Sequence, residues 1–396
     1  MRTESGGAWR VFLVFLRLGL TSFGGPAAHL GYFREEFVAR RRWLSERGYA
    51  ELVGLCQFLP GPASSQVGFA IGLLRAGYAG ALAAWTGFTL PSAIALLVFA
   101  RGMSRYPTLI PPGALHGLKV VAVAVVAQAV WRMASHLCTD VRRVGVMAAA
   151  AGFVLLVPAA WAQIVAIVVA AIAGLSLFSF RQTDPAPETL PMAIGQRTGL
   201  ACLALFVSLL LGLPLLGRLL PNSTIAMVDV FYRSGSLVFG GGHVVLPLLE
   251  AQVVPRGWIG RDLFLAGYGA AQAIPGPLFT FAAFLGASMD TKPSGCLGGL
   301  VCLLSIYAPS LLLLVGVLPF WRKLRRNSRM EAALAGVNAA VVGLLLAALY
   351  QPVWMSAIHR AEDFELALAA FALLAFGTLP PWAVVLLCSI AGGIGL

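Results

Sequence analysis

Charge is what this sequence has least of. Only 11% of its 396 residues are charged, and acidic side chains number just 16. A soluble domain keeps about a quarter of its residues charged to hold a wet surface, so a water-soluble fold is excluded. The carboxylates Glu51, Asp229, Glu250 and Asp290 lie near the ends of apolar runs. They make no chain of the kind that relays protons or holds a cation at membrane depth. The six cysteines form neither a CxxC nor a Cys/His cluster, which leaves no metal site and marks them as small core or lipid-facing residues. There is no GxSxG elbow, HExxH pair, Walker A loop or paired-carboxylate spacing. The Gly240–His243 run resembles an esterase oxyanion motif but has no nucleophile beside it. The sequence therefore presents no catalytic residue and implies no cofactor.

What fills the chain instead is apolar sequence, with a mean hydropathy of +0.86. Runs near the roughly 20 residues that cross a bilayer as helix recur throughout, among them 78–100, 115–134, 197–220 and 295–320. The net charge of +12 comes from Lys and Arg in short connectors, where the positive-inside bias puts them, so no nucleic-acid partner is implied. One basic cluster is Arg40, Arg41, Arg42 and Arg47; the other is Arg322, Lys323, Arg325, Arg326 and Arg329. The first apolar stretch has the outline of a signal peptide, but it returns later in the chain and so belongs to the fold.

That return is a duplication. Phe15, Arg17, Gly19, Phe23, Gly24 and Gly25 recur 216 positions on as Phe231, Arg233, Gly235, Phe239, Gly240 and Gly241. At an offset of 215, Trp43, Gly54, Gln57, Pro60, Gly61, Pro62 and Phe69 return as Trp258, Gly269, Gln272, Pro275, Gly276, Pro277 and Phe284. Pro91-Ser92 then matches Pro309-Ser310, and Gly117 matches Gly336. Residues 1–180 read as the first repeat, 181–197 as a polar, Pro-rich linker and 198–396 as the second repeat. The additional run 197–220 changes the parity of crossings and inverts the second repeat. The expected fold is an all-α polytopic membrane protein of two inverted homologous halves, with about 10–13 membrane helical segments broken by Gly and Pro.

The breaks are FGGP (23–26) and LPGP (59–62) in the first half, FGGG (239–242) and IPGP (274–277) in the second. Pro-Gly-Pro removes two amide donors and inserts a flexible joint, so helix cannot run through it. Two topologies fit. If the broken elements are re-entrant hairpins, both basic clusters fall on one side of the membrane; if they cross, one strongly basic loop lies outside. Half-helices that start at mid-membrane aim bare amides at the space between them, a setting that binds anions.

The candidate substrate-binding residues come from these breaks: Phe23, Gly24, Gly25, Pro60, Gly61 and Pro62, with Phe239, Gly240, Gly241, Pro275, Gly276 and Pro277 in the second half. Arg17 and Arg233 stand six residues before each FGG on apolar segments, where a charge is costly and a guanidinium fork suits a tetrahedral oxyanion. Gln57, Ser64 and Gln272 bracket the PGP breaks as donors. His243, with His29, offers a titratable group for proton coupling.

At these motifs the sequence resembles the chromate ion transporter family, in its long two-domain form. The resemblance is carried by FLRLGLTSFGGPAAHLGYFREEFV and RRWLSERGYAELVGLCQFLPGPASSQV, then by FYRSGSLVFGGGHVVLPLLE and GWIGRDLFLAGYGAAQAIPGPLFTFAAFLG. It implies export of chromate across the bacterial inner membrane by the proton-motive force, with sulfate as a related anion. The partners implied are that oxyanion, protons and the bilayer, and a homodimer is compatible with the sequence. Other readings are a sulfate or small-anion importer or channel and, from another class, a membrane-embedded enzyme or scaffold subunit.

Overall fold

The computed structural model describes all residues except 1–6, 107–110, 158, 180–193, 221, 325–326, 378 and 395–396. Most of the expected linker and two arginines of the second basic cluster lie outside the described residues. Every regular element among those described is helical. Five helices are long and apolar enough to cross a membrane: Ala63–Arg105, Pro112–Leu137, Gln196–Leu219, Gly295–Phe320 and Ser328–Ala357. The first of these is two helices, since Ala76 and Gly77 leave helical geometry and turn the chain back on itself. A carbon added to Gly72 would strike the backbone of Gly80, so only paired glycines let the two arms of that turn close.

All four Gly/Pro breaks are tips of hairpins. Helix Ala8–Thr21 ends before the first FGG, and helix Gly25–Arg34 begins within it. Phe15 stacks 5.0 Å from Phe37 and meets Phe33 edge-on at 5.6 Å. Unbroken helix from residue 15 to 33 would hold them roughly 27 Å apart, so the chain reverses at 22–24. Arg75, past the first PGP, lies over the Trp43 ring, before it, at 5.1 Å. In the second half Phe264 meets Phe281 at 5.2 Å across the second PGP, and Arg256 lies in the field of Arg233 and Asp229 across the FGGG break.

Each hairpin returns the chain to the face it left, and this sets the direction of every later crossing. The loop at 41–45 and the Ala76-Gly77 turn share one face. Helices 78–105, Pro112–Leu137, Val141–Leu156 and Ala160–Leu177 follow in alternating direction up to the linker, Gln196–Leu219 is a fifth, and the hairpins of the second half hang from the opposite face. Gly295–Val317 then brings the chain back, so Lys323 and Arg329 lie on the same face as Arg40 to Arg47. We call it the basic face.

The halves exchange parts. Helix Pro112–Leu137 packs on Pro381–Ile394, with Gly117 against the Cys388 carbonyl; Ser328–Ala348 packs on Ala160–Leu177, with Gly336 against the Ala170 carbonyl. Small residues allow such close approach where lipid offers helices no hydrophobic drive to associate. The PGP tips are exchanged as well: the Gly61 amide donates to the Val238 carbonyl (2.7 Å), and the Gly276 amide donates to the Ser22 carbonyl (3.0 Å). Val238 and Ser22 are equivalent residues, each just before an FGG. Gly61 (φ 119°) and Gly276 (φ 108°) lie in the region that favours glycine. Added carbons there would collide with Ser310 and Ser92, again an equivalent pair.

Candidate functional site

Where the tips meet, the structure encloses a chamber of about 170 Å³ between the halves. Both FGG tips line it through Gly24, Gly25, Gly240 and Gly241, with Gln272 and Gly276 from the second PGP. The tips are in contact: a carbon on Gly242 would stand 3.5 Å from Pro26. Helix Gly25–Arg34 starts here with Gly24 in the left-handed conformation and Pro26 in its first turn. The short helical turns Gly242–Val244 and Leu278–Thr280 start here too. Three helix starts therefore converge on one space, and the partial positive charge of helix N-termini favours an anion there. A single water needs roughly 10–15 Å³ of such space, so a small oxyanion with part of its hydration fits.

The side chains at the chamber are few and polar. His243 is half-buried, its Nδ1 hydrogen-bonded to the Tyr268 hydroxyl at 2.8 Å. Its Nε2 stands 3.9 Å from where a carbon on Gly25 would lie, so that nitrogen faces the opposing tip. Gln272 lines the cavity, and its Nε2 is buried without a hydrogen-bond partner. Arg132 and Gln128 complete the wall from helix Pro112–Leu137. Gln128 donates to the Leu374 carbonyl and ties the wall across the halves. Arg132 is exposed and makes no ion pair among the described residues. Arg132, Met133, Leu374 and Pro381 all stand at the basic-face ends of their helices, so the chamber opens toward that face.

The other candidate residues are placed as follows. Arg17 is exposed on helix Ala8–Thr21 and does not line the chamber. Arg233 is ion-paired with Asp229 one turn earlier. Phe23 sits 6.3 Å from the Trp382 ring, Phe239 packs on the larger core, and Gln57 is exposed. Pro60, Gly61 and Pro62 are held against the second half near Ser310, outside the chamber lining. Ser64 Oγ lies 3.4 Å from His29 Nδ1, while His29 Nε2 lies 3.2 Å from the Ser22 carbonyl that also receives Gly276. His29 is thereby part of the joint between the halves. Pro275 and Pro277 flank Gly276 without lining the cavity.

Sequence reasoning passed over Arg132 and Gln128. The signal that marks them is a polar pair at i and i+4, on one face of an otherwise apolar helix. Among the described residues no group of three or more His, Cys, Asp or Glu gathers as a metal site.

On the opposite face polar pairs with carboxylates join the halves. Lys119 pairs with Asp262 at 3.1 Å, and His116 Nε2 lies 2.6 Å from Asp363. Ser389 adds a hydrogen bond to the Ala114 carbonyl. On the basic face the Trp321 indole N–H donates to Glu51 at 2.7 Å, and Gln128 donates to the Leu374 carbonyl.

Hairpins that hang from both faces and meet in a polar chamber define an all-α polytopic membrane protein with a ligand-sized site between two exchanged halves. The chain belongs to the chromate transporter family, whose profile matches residues 9–175 and 225–393. It is 27% identical over 356 residues to the chromate transport protein of Pseudomonas aeruginosa, covering 85% of this chain and 79% of that protein. It is 25% identical to the chromate transport protein of Cupriavidus metallidurans, covering 86% and 81%. An uncharacterized transporter of Methanocaldococcus jannaschii is 27% identical over 86% of this chain and 83% of its own length. No solved structure matches the chain.

Proposed function

We propose that this protein is a secondary transporter that exports chromate from the bacterial cytoplasm across the inner membrane, with sulfate, also a tetrahedral dianion, as the related substrate. The observation that carries this reading is the chamber. Glycine-bracketed helix starts from both halves converge there on a space of about 170 Å³, beside a guanidinium and an unpartnered amide donor. Backbone donors of this kind hold a tetrahedral anion without stripping all of its water. The chamber opens toward the basic face, which the positive-inside bias assigns to the cytoplasm, as export requires. The reciprocal contacts of the halves give a second arrangement of nearly the same packing, in which the basic face closes and the other opens. Protons supply the energy, and His243 is the titratable group placed to exchange them at the chamber.

The test is flux of chromate and of sulfate into inside-out vesicles carrying the purified protein, with and without a proton gradient. Accumulation of chromate that collapses when the gradient is dissipated is the expected result. If neither anion moves in either direction, whatever the gradient, the transport reading fails.

A further inference from the structure

Two equivalent positions, one on each face, differ in charge, and the difference bears on which side of the membrane the anion is recognised. Helix Pro112–Leu137 presents Arg132 to the chamber. The matching position of the second half, displaced by the same offset that relates Gly117 to Gly336, is Gln351. Gln351 lines a separate cavity on the opposite face, where Glu250 is ion-paired to Arg261 at 3.4 Å and Arg256 is a second arginine. The chamber on the basic face has no carboxylate among its lining residues, and its one permanent charge is Arg132.

We infer that Arg132 is the residue that sets anion affinity in the chamber and that it acts from the basic face, toward which the chamber opens, the equivalent Gln351 bringing no charge to the opposite face. This rests on the transport reading. The Arg132 guanidinium stands at the basic-face end of its helix, and no carboxylate among the described residues neutralises it. It stands on the chamber side of its helix, one turn beyond Gln128, whose hydrogen bond to the Leu374 carbonyl fixes that wall across the halves. The guanidinium fork pairs with two oxygens of one tetrahedral anion, whereas the Gln351 amide offers a neutral donor. A tetrahedral dianion such as chromate or sulfate gains from the fork; a halide, with no second acceptor, gains much less.

The experiment has two arms. Chromate binding to the purified full chain is measured by equilibrium dialysis for wild type, Arg132→Gln and Arg132→Lys. Loss of a charge-assisted hydrogen bond predicts affinity about 10- to 100-fold weaker in Arg132→Gln and a milder loss in Arg132→Lys, which keeps the charge but not the fork. In oriented vesicles the half-saturation concentration from the basic face should rise with Arg132→Gln by the same factor, while that from the opposite face stays within about twofold. Unchanged binding in Arg132→Gln overturns the proposal, and so does an equal rise on both faces. If wild type binds chromate but moves none, the transport reading fails by itself and the dialysis arm still decides the role of Arg132.

Discussion

The two faces of this molecule are built from the same sequence pattern and are joined by different chemistry. On the opposite face Lys119 meets Asp262 and His116 meets Asp363, each pair joining one half to the other. Carried through the repeat to the basic face, those four positions become Asn338, Arg47, Ala335 and Val144, which make no mirrored ion pair. The opposite face has the Lys119–Asp262 and His116–Asp363 pairs, which its counterpart lacks, whereas the basic face is joined by the Trp321–Glu51 and Gln128–Leu374 hydrogen bonds. On the proposed transport reading, the duplication supplies two arrangements of similar packing, and a handful of charges chooses between them. That is economical, because a shift of 1.4 kcal/mol changes a two-state ratio tenfold.

The largest effect should come from disturbing what the two faces share. Gly61 and Gly276 hold the exchanged tips at left-handed geometry against Ser310 and Ser92. Alanine at either position meets both a backbone penalty and a collision, together about 2–4 kcal/mol. We expect Gly61→Ala and Gly276→Ala each to lower the melting temperature of the purified protein by many degrees. Adding Ser310→Gly to the first and Ser92→Gly to the second should restore part of the loss by relieving the collision. If only one of the two glycines proves sensitive, the tips are not equivalent supports and the symmetric description of the joint is wrong.

Much of this arrangement is legible in the sequence. The duplication, the helical class and the four breaks follow from Gly and Pro in apolar runs, because those residues interrupt helix whatever surrounds them. Whether a broken element reverses or crosses is not legible, since a hairpin of two half-helices and one kinked span have the same composition. Contacts such as Phe15 with Phe37 decide it. The charge at the chamber was hidden for a different reason. Comparing the halves draws attention to matched residues, and Arg17 and Arg233 match. Arg132 has no arginine opposite it, so the pattern that reveals the fold conceals the residue that breaks its symmetry. The first PGP likewise matches the second in sequence, yet only the second lines the chamber.

Removing the Lys119–Asp262 and His116–Asp363 pairs should open the opposite face. The Lys119–Asp262 pair is partly exposed, with Asp262 at 77% side-chain accessibility, so its worth is no more than about 1 kcal/mol. His116 and Asp363 are more enclosed. The double variant Asp262→Asn/His116→Gln should raise the labelling rate from the opposite face of a cysteine at Val125, buried on the chamber wall, in a background without the native cysteines, by about 5- to 10-fold. Asn338→Asp makes the converse change by setting a carboxylate opposite Arg47, a mirrored pair for the basic face. It should slow labelling of a cysteine at Met133 to a similar extent. Identical labelling in all three proteins would mean that the ion pairs decorate the faces without choosing between them.

The smallest effect should appear at Arg17, the arginine that the repeat marks most clearly. It is exposed on its helix and lies outside the chamber lining, so its charge is far less coupled to an anion bound there than that of Arg132. Arg17→Gln should leave the half-saturation concentration for chromate within about twofold of wild type from either face, measured in the vesicles used for Arg132→Gln. A change at Arg17 as large as that at Arg132 would require the anion to pass along the outer surface of helix Ala8–Thr21. The contrast between the chamber on one face and the carboxylate pairs on the other would then no longer describe the path.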